Sequence, residues 1–161
     1  MLYEVPLVPQ TSNMSCWAAS IGMILGWKNN ASYSDEMIAR NPGGRNYMTS
    51  YAKGLDPNDE YILRANGFEL ESPQCYTRAL IAGLLYDFGP LWVATWAPGP
   101  HIRVVRGISG SSVWINDPAP VNQGSKYKMS YSNFFGAMET LGARELKQAS
   151  PVYVAYLRPE G

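Results

Sequence analysis

Gly89-Pro90 separates two textures, and that switch constrains the fold more than any other feature of the chain. Before it, the longest apolar stretches are Ala18–Trp27 and Ala79–Tyr86. They suit helices and fall short of the roughly 18 residues that a membrane span needs. After it come five short runs rich in β-branched and aromatic residues: Leu91–Trp96, His101–Ser109, Ser112–Asn116, Tyr127–Tyr131 and Val152–Leu157. Gly, Pro or Asn bounds each run, the pattern of strands. A single helix, Ser132 to about Leu141, interrupts them. Fifteen glycines and twelve prolines call for many turns, which disfavours a helical bundle. The fold class read from this order is α+β: a helical half, then an antiparallel sheet.

Local signals place the helices. Asn13 or Ser15 caps one whose body runs from Cys16 to about Gly26, and its apolar character on all sides predicts burial. Ser34-Asp35-Glu36 opens a second, short helix that Asn41-Pro42-Gly43-Gly44 ends. Asp56-Pro57 starts a third, stopped by Asn66-Gly67. A fourth runs from about Tyr76 to Tyr86. Residues 2–9 alternate, but Pro6 and Pro9 restrict them to an edge strand or an extended arm.

Hydrophobic residues are 46% of the 161, enough for a real core, and the length suits one domain, residues 1–161. Thirteen basic and thirteen acidic residues cancel. Such a chain has no electrostatic footprint for nucleic acid and no polybasic patch for an anionic membrane. Met1–Pro6 lacks the basic and apolar regions of a secretory signal, so the expected location is the cytoplasm, or a target cell reached by a leaderless route. Two cysteines, Cys16 and Cys75, cannot build a disulfide framework, and a single bridge between them is disfavoured. No ligand pair has the spacing of a zinc site, so neither metal nor cofactor is expected.

Four residues carry chemistry. Cys16 falls at the N-terminus of a buried helix, where free N–H groups and the helix dipole favour a thiolate. His101, the only histidine, heads a strand and is positioned to face a cleft; a cysteine nucleophile needs such a base. The hairpin 101–117 brings Asp117 back beside His101, where a carboxylate fixes the tautomer and stabilises the imidazolium. Strand alternation turns its neighbour Asn116 to the other face. Gln10, six residues before Cys16, can join the Cys16 N–H in holding an oxyanion.

The segment Gln10-Thr-Ser-Asn-Met-Ser15-Cys16-Trp17-Ala18 resembles the nucleophile segment of papain-like cysteine peptidases, which place a Gln six residues before the Cys and often follow it with Trp-Ala. His101 to Gly107 resembles that family's histidine strand, and Asp117 lies sixteen residues after His101, close to where its Asn or Asp falls. The Val5-Pro6 arm, Gly89 to Val93 and Trp114 to Pro118 are similar to short bacterial members, which include bacteriocin-leader processing peptidases and papain-like effector proteases of plant pathogens. The resemblance implies a helical half facing a β half across a cleft, a protein or peptide substrate, and a bacterial effector or toxin setting. It names no cognate inhibitor or delivery partner.

A glutamine deamidase or transglutaminase would use the same Cys–His–Asp apparatus, and an inactive binding module would keep the scaffold without reason to keep all four residues. The run Pro120 to Ser125 also resembles a papain-type stretch around the oxyanion glutamine, but no cysteine follows Gln123, so it reads as a surface turn. Asn41 to Gly44 reads as a helix stop rather than a double-glycine cleavage site. Trp92 and Trp96 read as packing a sheet face, and Trp17 as core.

Overall fold

The computed structural model describes residues 1–40, 60–72, 76–95, 101–136 and 153–159. Within them the helices are α1 (Cys16–Asn29), α2 (Asp35–Arg40), α3 (Glu60–Ala65) and α4 (Arg78–Phe88). The strands are β1 (Phe68–Leu70), β2 (Leu91–Thr95), β3 (His101–Ser109), β4 (Ser112–Asp117), β5 (Ser125–Ser130) and β6 (Tyr153–Leu157). They form one antiparallel sheet in the order β1-β6-β2-β3-β4-β5. Helices therefore dominate the first half and the sheet the second.

Local chemistry explains most departures from the sequence pattern. Helix α1 runs past Gly26 to Asn29, and Asn30 ends it in the left-handed conformation at φ 51°. Gly26 is there for close approach instead: a Cβ on it would lie 2.7 Å from the returning carbonyl of Ala31. Helix α4 starts at Arg78 because Thr77 caps it, its hydroxyl accepting the Leu80 N–H. Strand β1 has no counterpart in the sequence pattern. It is a three-residue edge strand after Gly67, paired with β6 from Phe68↔Leu157 to Leu70↔Ala155. After β5 the chain takes a π-helical turn, Ser132–Gly136, where an α-helix was expected. Asn41–Gly44, Asp56-Pro57, Cys75, Trp96 and the end of the Ser132–Leu141 helix lie outside the described residues.

The sheet carries a hydrophobic layer on each face, as strand alternation requires. On one face Trp92, Ile102, Val104 and Ala155 pack against Trp17, Ile21 and Ile24 of α1. On the other, Leu91, Val93, Val105, Ile115 and Val154 pack against Ile81 and Leu85 of α4 and against Phe134 and Phe135. Trp17 and Trp92 are both core, and the Trp92 indole N–H donates to the Trp17 carbonyl at 3.3 Å. The N-terminal arm lies along β3, with Leu2 bridged to Gly107 and the Tyr3 N–H donating to the Arg106 carbonyl. Only glycine admits it, since a Cβ at 107 would sit 2.7 Å from the Met1 carbonyl oxygen.

Candidate active site

Strands β3, β4 and β5 build one side of the site. Val104 pairs with Asn116, so His101 and Asp117 fall on the same face, one diagonal step apart. His101 Nε2 lies 2.7 Å from Asp117 Oδ1. That oxygen also accepts the Ala119 N–H at 2.9 Å, and Oδ2 accepts the Tyr127 hydroxyl at 2.7 Å. Behind Tyr127 stands the buried Arg103, which donates to the phenol oxygen at 3.1 Å and to Thr95 Oγ1 at 2.8 Å. Its guanidinium lies over the Phe134 ring. Asn116 turns to the other face, where its Nδ2 donates to the Val5 carbonyl at 3.0 Å.

These contacts set the charges. Burial opposes the imidazolium of His101, but hydrogen bonds with Asp117 and Cys16, and the charges of both, outweigh it and raise its pKa to about 9. Burial would raise the Asp117 carboxyl; hydrogen bonds from His101 and Tyr127, the imidazolium charge and the Ala119 N–H lower it below its ordinary value. Burial, with Asp117, pushes the Tyr127 phenol up against the pull of Arg103, which keeps it a neutral donor.

The other side of the site is the segment 10–16 leading into α1. Cys16, a free and partly exposed thiol, is the first residue of that helix, near enough to the His101 imidazole to help raise its pKa. With Nε2 taken by Asp117, Nδ1 is the nitrogen left for another partner. Gln10 is buried, with 4% of its surface exposed, so it is no solvated loop amide. Its Nε2 donates to the carbonyls of Ser12 at 2.9 Å and Asn13 at 3.2 Å. Its backbone N–H donates to the Pro118 carbonyl and its carbonyl accepts the Asn122 N–H. The 118–124 turn, exposed at Asn122 and Gln123 as a surface turn should be, thus also brackets Gln10.

Cys16, His101 and Asp117 are therefore brought together, with Gln10 on the same nucleophile segment. Three further residues escaped the sequence. Asp35, read as a helix opener, is fully buried and bound to the 10–16 segment. Tyr127 was legible only as a strand aromatic, and Arg103 only as one position in a strand. Among the described residues no three His, Cys, Asp or Glu side chains gather to hold a metal, and no helix is long and apolar enough to cross a membrane.

A sequence profile of the family described as papain-like cysteine protease AvrRpt2 matches residues 1–139. No curated protein matches the sequence. Three solved structures share the fold. A C39-like peptidase from Bacillus anthracis superposes with TM-score 0.62 at 15% identity, over 98% of this chain and 96% of that one. The peptidase domain of Streptococcus ComA, a bifunctional ABC transporter of a quorum-sensing pathway, gives 0.57 at 20%, over 96% and 98%. A double-glycine-motif protease from an AMS/PCAT transporter, solved with its leader peptide, gives 0.57 at 18%, over 98% and 94%.

Proposed function

Since the chain belongs to the AvrRpt2 family of papain-like cysteine proteases, we propose that it is an endopeptidase in which Cys16 is the nucleophile, His101 the acid and base, and Asp117 the orienting carboxylate. The observation that carries this is the His101 imidazole held by Asp117 at 2.7 Å, with the Cys16 thiol near enough to raise its pKa. Cys16 gives its proton to His101 Nδ1, and its sulfur attacks the substrate carbonyl. The oxyanion that forms is held by the Cys16 N–H, which donates to no acceptor among the described residues. Gln10 joins it by turning one Nε2 hydrogen from a loop carbonyl to the oxyanion. His101 then protonates the departing amine as the C–N bond breaks, leaving a thioester on Cys16. Water, deprotonated by His101, hydrolyses the thioester and restores the thiol.

A protein or peptide is the substrate class, supported by the leader peptide bound to a structural relative. Residues 1–161 act as one catalytic unit, in the setting of a bacterial effector or toxin. Incubating a defined proteome with the protein and with Cys16→Ala tests the chemistry by intact-mass analysis. New backbone termini, absent with the variant, are the expected result. A gain of one mass unit or crosslinks without cuts would make it a deamidase or transglutaminase. Cleavage of proteins from the producing bacterium alone, and none from a eukaryotic extract, would overturn the effector setting.

A further inference from the structure

The segment between the two oxyanion donors is tied at both ends to a single carboxylate. Asp35 accepts the Thr11 N–H at 2.6 Å, the residue after Gln10. It also accepts the Ser15 hydroxyl at 2.7 Å, the residue before Cys16. The Thr11 hydroxyl at 2.9 Å and the Glu36 N–H at 2.8 Å complete its coordination. The side chain is fully buried, and these four donors are neutral. Burying a carboxylate among neutral groups is a costly way to gain stability, so another return is implied.

Ser15 shows what that return is. A serine at the N-cap ordinarily turns its oxygen onto the first-turn N–H groups of its helix. Here it makes no such cap. Its hydroxyl donates to Asp35, and its oxygen accepts the Ser12 N–H at 3.1 Å. The first turn is thus capped by the Ser15 carbonyl, which accepts the Ala18 N–H, and not by its hydroxyl, while the Cys16 N–H at the first position has no acceptor among the described residues.

We infer that Asp35 is a positioning residue for peptide hydrolysis: it fixes both ends of the Gln10–Cys16 segment that carries the two oxyanion donors, and it holds the Ser15 hydroxyl away from the first turn of the helix. This rests on the protease reading above. It acts through other residues and touches neither substrate nor thiol.

Two small probes separate this role from general damage. Iodoacetamide alkylates the thiol by direct displacement of iodide, with no oxyanion. p-Nitrophenyl acetate acylates it through a tetrahedral oxyanion: the S–C bond forms, the C–O bond breaks and p-nitrophenolate leaves. The rates are measured at Cys16 in the parent, Asp35→Asn and Ser15→Ala, with thermal melts. Asp35→Asn should slow acylation by about tenfold or more and alkylation by less than about threefold, since oxyanion donors act only in the former. Ser15→Ala should shift the same ratio by a smaller factor. An unchanged ratio in Asp35→Asn overturns the inference, whatever the melting temperature. Should that variant fail to fold, an unchanged ratio in Ser15→Ala overturns it. A parent Cys16 acylated no faster than free cysteine would sink the protease reading, and the inference with it.

Discussion

Along β2, β3 and β4 the two faces of the sheet begin alike and end differently. Towards α1, Trp92, Ile102 and Val104 continue the core, and Asn116 spends its amide on the N-terminal arm. Towards α4, the apolar series Leu91, Val93, Val105 and Ile115 gives way at one end of the sheet to Thr95, His101, Arg103, Asp117 and Tyr127. Adjacent residues, Asn116 and Asp117, thus serve opposite purposes. The difference teaches that the proposed catalytic face needs only a local change of composition: same strands, polar groups at the end where the helix over the other face presents its N-terminus.

The sharpest way to break the comparison is to remove the proposed reacting groups. Cys16→Ala and His101→Ala should each lower turnover of dye-labelled casein by several orders of magnitude. Cys16→Ala should melt within a few degrees of the parent, since a small, partly exposed thiol gives way to a methyl, whereas His101→Ala should stay folded but melt lower, since it also removes the pair with Asp117. Full turnover by Cys16→Ala would refute the assignment outright.

Asp117→Asn should lower turnover by roughly ten- to a thousandfold, since the amide keeps the hydrogen bond to the imidazole and loses the charge. It should also move the alkaline limb of the pH profile. In the parent, His101 has a raised pKa of about 9, so the imidazolium persists up to that pH and activity falls above it. The same shift stabilises the fold fully below the ordinary histidine value and loses that contribution as pH rises through 9. For Asp117, lowered in the folded state, the contribution is present at neutral pH and lost as acid protonates it. Asp117→Asn should bring the alkaline limb down by at least one pH unit. A limb that stays at 9 would mean another group controls it.

Tyr127→Phe removes one donor from Asp117 and one acceptor from Arg103. Loss of such a hydrogen bond is worth about 1–2 kcal/mol, so kcat/KM should fall by roughly five- to thirtyfold. A change below twofold would show that Ala119 and His101 alone hold the carboxylate. The smallest catalytic effect belongs to Asn116→Ala: turnover within about threefold of the parent, and a loss of about 1–2 kcal/mol in denaturant unfolding as the Val5 carbonyl loses its partner. Should Asn116→Ala damage catalysis more than Asp117→Asn, the two faces are exchanged in function.

Legibility followed the range of each interaction. Asp117 could be placed from the hairpin, because strand period and turn length fix which residues face one another. Helix α1 announced itself by an unbroken apolar stretch. Asp35 could not be placed: a Ser-Asp-Glu run signals a helix start, and nothing local shows that its carboxylate reaches across twenty residues to Ser15. The Arg103–Tyr127 pair hides for the same reason, since two strand residues carry no mark of meeting. Gln10 was singled out by its spacing from Cys16, but its burial depends on the Pro118 and Asn122 backbone. Strand β1 was invisible because three residues at an edge carry too little periodicity.

The position of β6 sets a timetable. It lies between β1 and β2, yet it is made of residues 153–157, after every other described strand. During synthesis β2 and its neighbours emerge first and wait with an open edge until this strand arrives. The core cluster that holds α1 includes Ala155, so the helix that begins at Cys16 gains its full seat only then. The His101–Asp117 hairpin closes early, being local.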